Sequence, residues 1–446
     1  MTEWTLRQMA ARVRSRQVSA RELVEAHLRR IGDVDGRVNA FVEVRAEEAL
    51  RAADNVGAGP LAGVPVTVKD SFDVAGWATR CGCAGRASHV ASQDAAAVAR
   101  MRAAGAIVLG KTNVPELVSS YETDNFLTGR TVNPWNAEYT PGGSSGGEAA
   151  AIAAFCSAGG VGSDGGGSIR IPAHFCGIAG FKPTARRISG YGQYPVSSGP
   201  YALMAGPGPM ARTVGDVELL FSVMQGVDPR DSLSVGRADM DLRAKPRIGV
   251  MRQFYKVPVD ASIAAAVDRA AALLRDAGYE VEEFVPQGLE RAPNQWAFFF
   301  AEIGGMLTRE LLAGRESEAH WTITENLRMD APPVDGRAVL AAYAEREQLR
   351  EHVLQQMERF PVLLTPPCSI PAFAHRQRRF AVGEQSIGLF PAMALATTWN
   401  LLAFPALVVP FAKTEAGLPV GVQLVGRPFE DERVLRTGVE LEEARG

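Results

Sequence analysis

The sequence predicts an α/β fold in which one β-sheet is covered by helices on both faces. Two segments, residues 64–109 and 247–284, carry the order strand, helix, strand. Each is a βαβ unit, which predicts parallel pairing of its two strands. Repeated alternation of strands and helices is typical of a sheet between two helix layers. The chain has 446 residues, 46% of them apolar, which is enough for a large core.

Residues 1–60 predict a helical segment that leads into the sheet. Ser19 and Glu22 have the spacing of a capping box, in which each side chain binds the other residue's free backbone amide. The apolar residues that follow, from Leu23 to Ile31, recur at helical spacing. We therefore expect a helix to begin just after Ser19.

The first βαβ unit begins with alternating valines and ends its first strand at Lys69. Asp94 is expected to cap the helix that follows, and Gly105 to end it. A second strand is predicted at residues 106–109. Lys69 therefore lies at the end of a strand in the sheet.

The C-terminal half of the chain predicts more strands of the same sheet. A helix separates strands at 247–251 and 279–284, and two further strands at 406–411 and 420–425 precede a charged final helix. Residues 285–360 are rich in Glu and Arg and predict a helical lobe over the sheet. Nothing in the composition marks a boundary between independent domains.

Composition argues against several classes of protein. The net charge is -3 and no long basic run is present, so nucleic acid is not an expected partner. Five cysteines without a C-x-x-C pair predict reduced packing residues, not disulfides or zinc ligands. The N-terminus lacks a signal peptide, and prolines break the apolar segment 385–412. We expect a cytoplasmic protein with no membrane span.

Two glycine-rich segments carry serines: residues 142–147 and residues 165–170. A phosphate-binding loop would need lysine where this chain has Glu148. The nucleophile elbow of α/β-hydrolases needs a strand directly before it, and residues 133–141 have loop composition. No histidine after these serines lies in a setting that suits a catalytic base, so neither of these sites is favoured.

The lysines of the chain indicate a different base. Only six of the 47 basic residues are lysine. Arginine keeps its proton in proteins, whereas a buried lysine can lose it because burial disfavours the charged amine. Lys69 ends an apolar strand upstream of both serine segments and is the best candidate, while Lys111 and Lys182 are interpreted as structural.

Three motifs resemble the defining motifs of the amidase signature family. They are Val66-Thr67-Val68-Lys69-Asp70, the Gly-Gly-Ser-Ser-Gly-Gly block at 142–147, and the run Asp164-Gly165-Gly166-Gly167-Ser168-Ile169-Arg170-Ile171-Pro172-Ala173. Their order, spacing and chemistry agree with the family, and the resemblance covers nearly the whole chain except residues 285–360.

The resemblance implies the amidase signature fold, a large twisted mixed β-sheet with helices on both faces. It implies a single amidase domain over residues 1–446. Residues 61–240 would form the catalytic core. Residues 245–446 would complete the sheet and carry the helical lobe at about 285–360.

The resemblance also implies a Ser-cisSer-Lys triad. Ser168 would be the nucleophile, Ser144 the bridging serine beside a cis peptide bond, and Lys69 the base. The implied reaction is hydrolysis of a carboxylic amide, or of an ester, through an acyl-enzyme. It needs no metal and no organic cofactor.

By position, the residues implied to bind substrate are Gly165, Gly166, Gly167, Val118 and Ser119. The glycines, with Ser168, would offer backbone N–H groups to a developing oxyanion, and the other two would line the acyl side of the pocket. Most relatives carry Thr or Ile at the position of Gly165, so the loop is freer here. Asp164 and Arg170 are expected to pair across the loop.

The expected substrate is a small neutral aliphatic or aryl amide, because no charged clamp stands out near the site. Tyr121, Trp399 and Phe404 are interpreted as core residues. The oligomeric state cannot be read from the sequence, and a homodimer is left open.

Two alternatives remain. The first is the glutaminase subunit of a tRNA-dependent amidotransferase, which typically has Thr and Gln at the positions of Gly165 and Ile171 and a downstream Tyr-Asp-Gly-x-Arg-Tyr-Gly stretch that this chain lacks. The second is a non-catalytic relative, although such copies tend to lose a member of the set Lys69, Ser144 and Ser168.

Overall fold

The computed structural model describes residues 1–196, 199–237, 241–242, 244–313, 319–328 and 333–446. The strands are β1 (Phe41–Val44), β2 (Pro65–Lys69), β3 (Ile107–Thr112), β4 (Gly159–Asp164), β5 (Ala179–Lys182), β6 (Gly206–Ala211), β7 (Ile248–Val250), β8 (Val281–Glu283), β9 (Val362–Thr365), β10 (Arg379–Val382), β11 (Gln385–Gly388), β12 (Ala406–Lys413) and β13 (Pro419–Gly426).

The helices are α1 (Leu6–Arg14), α2 (Ala20–Val38), α3 (Ala46–Ala53), α4 (Ala96–Ala103), α5 (Gly146–Ala153), α6 (Arg170–Cys176), α7 (Pro200–Met204), α8 (Val214–Met224), α9 (Ala261–Asp276), α10 (Ala292–Ala297), α11 (Gly304–Leu311), α12 (Trp321–Asn326), α13 (Gly336–Gln356), α14 (Leu389–Ala392), α15 (Ala394–Leu401) and α16 (Asp431–Arg445). A π-helical stretch, Phe298–Ile303, joins α10 to α11.

One large mixed sheet organises the described chain. Its eleven strands lie in the order β1-β3-β2-β4-β6-β5-β12-β13-β9-β7-β8, and β10 and β11 form a separate hairpin. β2 pairs in parallel with both β3 and β4, whereas β12 and β13 pair antiparallel. The predicted α/β class is confirmed.

The two faces of the sheet carry separate helix layers, as β12 shows. Leu407 and Val409 pack into the largest apolar cluster, together with residues of α8, α9 and α16. Val408, which lies between them, packs instead with residues of α5 and α6. Because alternate side chains of a strand point to opposite faces, the helices cover both faces.

The structure confirms both βαβ units but not the predicted cap of the first helix. β2 pairs in parallel with β3, and β7 with β8. Asp94 is not the cap: α4 begins after Ala95, and no side chain caps it. The Asp94 carboxylate instead accepts the Ala75 N–H at 2.8 Å and pairs with Arg102 at 3.1 Å. These contacts tie the preceding loop to the helix.

The N-terminal segment is mostly helical, and its capping box is confirmed. The Ser19 hydroxyl accepts the Glu22 N–H at 3.1 Å, and the Glu22 carboxylate accepts the Ser19 N–H at 2.8 Å. The segment also contains β1, an edge strand that was not predicted and that pairs antiparallel with β3. All five cysteines are buried and free, as predicted.

The described part of residues 285–360 is mostly helical, and we call it the lobe. Trp296 and Phe299 pack with Leu349 and Val353 of α13 and with Trp399 of α15 in a second apolar cluster. The lobe therefore lies against α15. Within the described ranges, no helix combines the length and the apolar character that a membrane crossing requires.

Candidate active site

The three motifs meet at the ends of two neighbouring strands. Lys69 ends β2, and Asp164 ends β4. These strands are parallel neighbours, with Val68 opposite Val161, so their C-terminal ends lie side by side. Ser144 lies just before α5, and its peptide bond with the preceding glycine is cis.

The Lys69 amine lies among serine hydroxyls. Its Nζ is 2.7 Å from Ser144 Oγ, 2.8 Å from Ser145 Oγ and 2.9 Å from Ser163 Oγ. The lysine side chain is fully buried. Among the residues described, no carboxylate forms an ion pair with it, so its amine is surrounded by neutral partners.

The environment of Lys69 favours the neutral amine. Burial lowers its pKa from the ordinary 10.5 to about 7, and the negative potential of Cys81, Asp164 and Glu148 only partly opposes this effect. A large fraction of the amine is therefore unprotonated near neutral pH, which a proton acceptor requires.

The other two buried lysines differ from Lys69 in their partners. Lys111 Nζ pairs with the Asp70 carboxylate at 2.9 Å, which agrees with its structural interpretation. Burial also lowers the pKa of Lys182 to about 7, but its amine donates to the backbone carbonyl of Pro183. A lowered pKa alone does not distinguish Lys69, whereas its hydroxyl neighbours do.

The loop from β4 to α6 has every carbonyl held by a donor. The Asp164 carbonyl accepts from Asn400 Nδ2 (3.2 Å) and the Gly165 carbonyl from Trp296 Nε1 (2.8 Å). The remaining three bonds join Tyr121 Oη to Gly166 O (2.7 Å), Ile171 N to Gly167 O (2.7 Å) and Ser145 N to Ser168 O (3.0 Å).

These carbonyls fix the directions of the loop amides, because C=O and the next N–H point opposite ways in a trans peptide. The Gly167 N–H donates to Asp164 Oδ1 at 2.7 Å. It is not free for an oxyanion, which corrects the expectation that all three glycines offer one. The N–H groups of Gly165, Gly166 and Ser168 meet no acceptor within the described ranges.

Asp164 and Arg170 form an ion pair, as expected, and the Asp164 carboxylate also binds amides of the loop. Arg170 Nε lies 3.0 Å from Asp164 Oδ2, and both side chains are fully buried. Burial alone would raise the pKa of Asp164, but Arg170 holds it well below its ordinary value. Arg170 also donates to Gln423 and Asn400, so the pair belongs to a buried network.

Two cavities border Ser168. The first, of about 400 Å³, also borders Ser144, Ser163 and Gly165. The second, of about 450 Å³, borders Gly166 and the side chains of Tyr121 and Trp296. Ser168 borders both cavities, as do the expected pocket residues Val118 and Ser119.

Both cavities have mainly apolar walls, and both also border charged residues. The first borders four leucines, Leu117, Leu307, Leu311 and Leu327, and the charged residues Asp164 and Glu310. The wall of the second contains three charged side chains: Glu325, Arg328 and Arg378. No charged clamp was expected near the site from the sequence. The structure brings Arg378 beside Glu325 in the wall of the second cavity, from a segment distant in sequence.

Tyr121 and Trp296 are site residues that the sequence analysis did not identify. Tyr121 was interpreted as core, yet it borders the second cavity and binds the loop. Trp399 and Phe404 are fully buried core residues, as expected. No sequence pattern marks Trp296, since it lies in the lobe where the family resemblance is weakest.

A family model described as Amidase matches residues 22–435 of the chain. The chain belongs to the amidase signature family. Members of this family hydrolyse amide C–N bonds, and the protein is an amidase.

Among curated proteins, this amidase is similar to a glutamyl-tRNA(Gln) amidotransferase subunit from Roseiflexus castenholzii. The two are 35% identical over 463 residues, which cover 95% of this chain and 92% of its relative.

Among solved structures, the amidase is similar to a 6-aminohexanoate cyclic dimer hydrolase complexed with substrate (TM-score 0.89, 31% identity, 100% of this chain and 97% of that one). It is also similar to a bacterial aryl acylamidase of the amidase signature family, with a TM-score of 0.88 and 26% identity over 99% of this chain and 96% of that one. The likeness to the corresponding amidotransferase subunit from Thermotoga maritima is weaker. Its TM-score is 0.76, with 26% identity over 98% of this chain and 93% of that one.

Proposed function

We propose that this amidase hydrolyses a small neutral amide through Lys69, Ser144 and Ser168. One observation carries the proposal: a fully buried lysine amine lies 2.7 Å from the Ser144 hydroxyl and has no ion-pair partner in the described chain. A neutral amine in contact with a hydroxyl can draw a proton from it.

In the proposed cycle, Ser168 is the nucleophile and Ser144 relays protons. The lone pair of Lys69 accepts the Ser144 proton while Ser144 accepts the Ser168 proton, and Ser168 Oγ bonds to the amide carbon. The proton returns through Ser144 to the amide nitrogen as the C–N bond breaks and the amine leaves. Water then adds to the acyl-enzyme by the same proton route and releases the carboxylic acid.

The negative oxygen of the tetrahedral intermediate would bind the loop amides. The N–H groups of Gly165, Gly166 and Ser168 lack other acceptors in the described chain. Loss of one such donor costs about 3–4 kcal/mol in the transition state of comparable enzymes. The buried Asp164–Arg170 pair supports this role, because it fixes the loop on which these amides lie.

The first cavity supports a neutral aliphatic or aryl group as part of the substrate. Its apolar walls favour such a group through burial of hydrocarbon surface. The similarity to an aryl acylamidase and to a cyclic dimer hydrolase agrees with this class. The same acyl-enzyme route would also cleave esters.

A second candidate is the glutaminase reaction of a tRNA-dependent amidotransferase, which the 35% identity to an amidotransferase subunit favours. The weaker structural likeness, with a TM-score of 0.76 against 0.89 for the cyclic dimer hydrolase, favours the free amidase instead. Glutamine hydrolysis that requires added partner subunits would establish the second candidate.

Covalent labelling tests the proposed nucleophile. A fluorophosphonate should add one phosphonyl group to the wild-type protein at Ser168, located by peptide mass spectrometry, and should abolish hydrolysis of an aryl amide. Ser168→Ala should be unlabelled and inactive while it unfolds at the same urea concentration. Ser222→Ala, a change at an exposed helix position, is the matched control and should behave as wild type. Full activity of Ser168→Ala would contradict the proposal.

A further inference from the structure

We propose that Trp296, in helix α10 of the lobe, is a positioning residue for the oxyanion-binding loop. Its indole N–H holds the Gly165 carbonyl and thereby turns the Gly166 N–H toward the developing oxyanion. The inference rests on the proposed function and assigns a role in it to a lobe residue that never touches the reacting atoms.

The hydrogen bond sets one peptide plane. Trp296 Nε1 lies 2.8 Å from Gly165 O. In the trans peptide that joins Gly165 to Gly166, the Gly166 N–H points the opposite way, and it meets no acceptor in the described chain. Two successive glycines place little steric restriction on this plane. The indole therefore supplies an orientation that the loop's own residues do not.

Trp296 is itself held rigidly enough for this role. Its side chain is 5% exposed, and its ring stacks on Phe300 with centroids 4.5 Å apart. A Cβ added at Gly166 would lie 2.4 Å from Trp296 Cζ2, so loop and indole are in close contact. The glycine at 166 is the residue that lets the indole approach.

Tyr121 holds the next peptide plane. Its hydroxyl donates to Gly166 O at 2.7 Å, and the following N–H, that of Gly167, reaches Asp164 Oδ1 at 2.7 Å. Two donors from distant segments thus fix successive planes of the glycine run. These two hydrogen bonds fix the backbone of a loop that has no side chain at Gly165 to restrict it.

The test removes the donor and keeps an aromatic ring. Trp296→Phe is expected to lower kcat about 10- to 100-fold for an aryl amide, with KM changed less than about twofold, since only the transition state carries the oxyanion. Binding of a trifluoromethyl ketone analogue of that amide, whose hemiketal oxygen mimics the oxyanion, should weaken by a similar factor. Binding of the uncleaved amide to the Ser168→Ala protein should not change when Trp296→Phe is added.

The matched control is Trp399→Phe. Trp399 is fully buried in the same apolar cluster, and its Nε1 has no hydrogen-bond partner in the described chain. This variant loses an indole N–H that forms no hydrogen bond in the described chain, so kcat should stay within about twofold of wild type.

A second replacement separates the donor from packing. Benzothienylalanine at position 296, introduced by codon suppression, keeps the bicyclic ring and replaces N–H with sulfur, so it should reproduce the kcat loss even if Trp296→Phe folds poorly. A wild-type kcat in the sulfur variant overturns the inference, as does a rise in KM alone.

The Ser168→Ala protein separates this inference from the proposed function. If Ser168→Ala is inactive while the sulfur variant has a normal kcat, only the role of Trp296 is wrong. If Ser168→Ala is active, the proposed function itself is wrong.

Discussion

Lys69 Nζ lies 2.7 Å from Ser144 Oγ, and the lysine side chain is fully buried. The neighbouring buried lysine, Lys111, instead meets the Asp70 carboxylate at 2.9 Å. A carboxylate stabilises the charged amine, whereas hydroxyls in a buried site leave the neutral form accessible. The difference in partners separates a lysine suited to accept a proton from one that stabilises the fold.

Lys69→Arg is expected to be nearly as damaging as Lys69→Ala. Arginine keeps its proton, so it cannot accept one from Ser144. We expect kcat/KM to fall about 10³-fold or more in both variants, as in other hydrolases that lose a member of a catalytic set. Steady-state hydrolysis of an aryl amide measures this. Lys245→Arg, at a partly exposed ion pair with Glu440, is the matched control and should be unaffected. A mild effect of Lys69→Arg would contradict the neutral base.

The pH dependence of the rate follows from the lowered pKa of Lys69. The amine acts only when neutral, and its pKa is about 7 in the folded protein. The neutral fraction rises with pH, so kcat/KM should increase about tenfold per pH unit below about 7 and level off above it. A stopped assay in buffers of constant ionic strength measures the profile. A rate that falls between about pH 6 and 8 would have the wrong sign for this base.

The loop depends on the buried charge pair beneath it. Asp164→Asn would leave the Arg170 guanidinium buried without its carboxylate, and both side chains are 0% exposed. Breaking such a pair costs about 3–5 kcal/mol, so urea denaturation should show a loss of that size in the free energy of unfolding. Glu218→Gln, in an exposed pair with Arg7, should change it by less than about 1 kcal/mol. Equal effects in the two variants would show that burial of the pair does not add to its contribution.

The sequence predicted those parts of the fold that depend on local pattern. Alternating valines located the strand that ends at Lys69, and the Ser19 capping box located the start of α2. Asp94 failed as a cap because its carboxylate is taken by Ala75 and Arg102, contacts that local spacing does not show.

The candidate site shows the same division. The motif positions of Lys69 and Ser144 could be read from the sequence, and the structure places their side chains in contact. The directions of the loop amides could not be read, because Trp296 and Tyr121 determine them from segments 131 and 45 residues away. The single-domain organisation stays a prediction.

Gly165→Ala is expected to narrow the first cavity selectively. An added Cβ would lie 3.2 Å from the Ala205 Cβ, and both residues border that cavity beside Ser168. The backbone at Gly165 is not in the left-handed region, so the methyl group adds no backbone strain, and Ala205 must move slightly to admit it. KM for a bulky aryl amide should rise roughly tenfold, while the kinetics of a short aliphatic amide stay unchanged. Gly206→Ala, where a Cβ meets nothing within 4 Å, is the matched control. If the variant slows both substrates equally, the methyl group disturbs the loop itself and Gly165 does not set the size of the pocket.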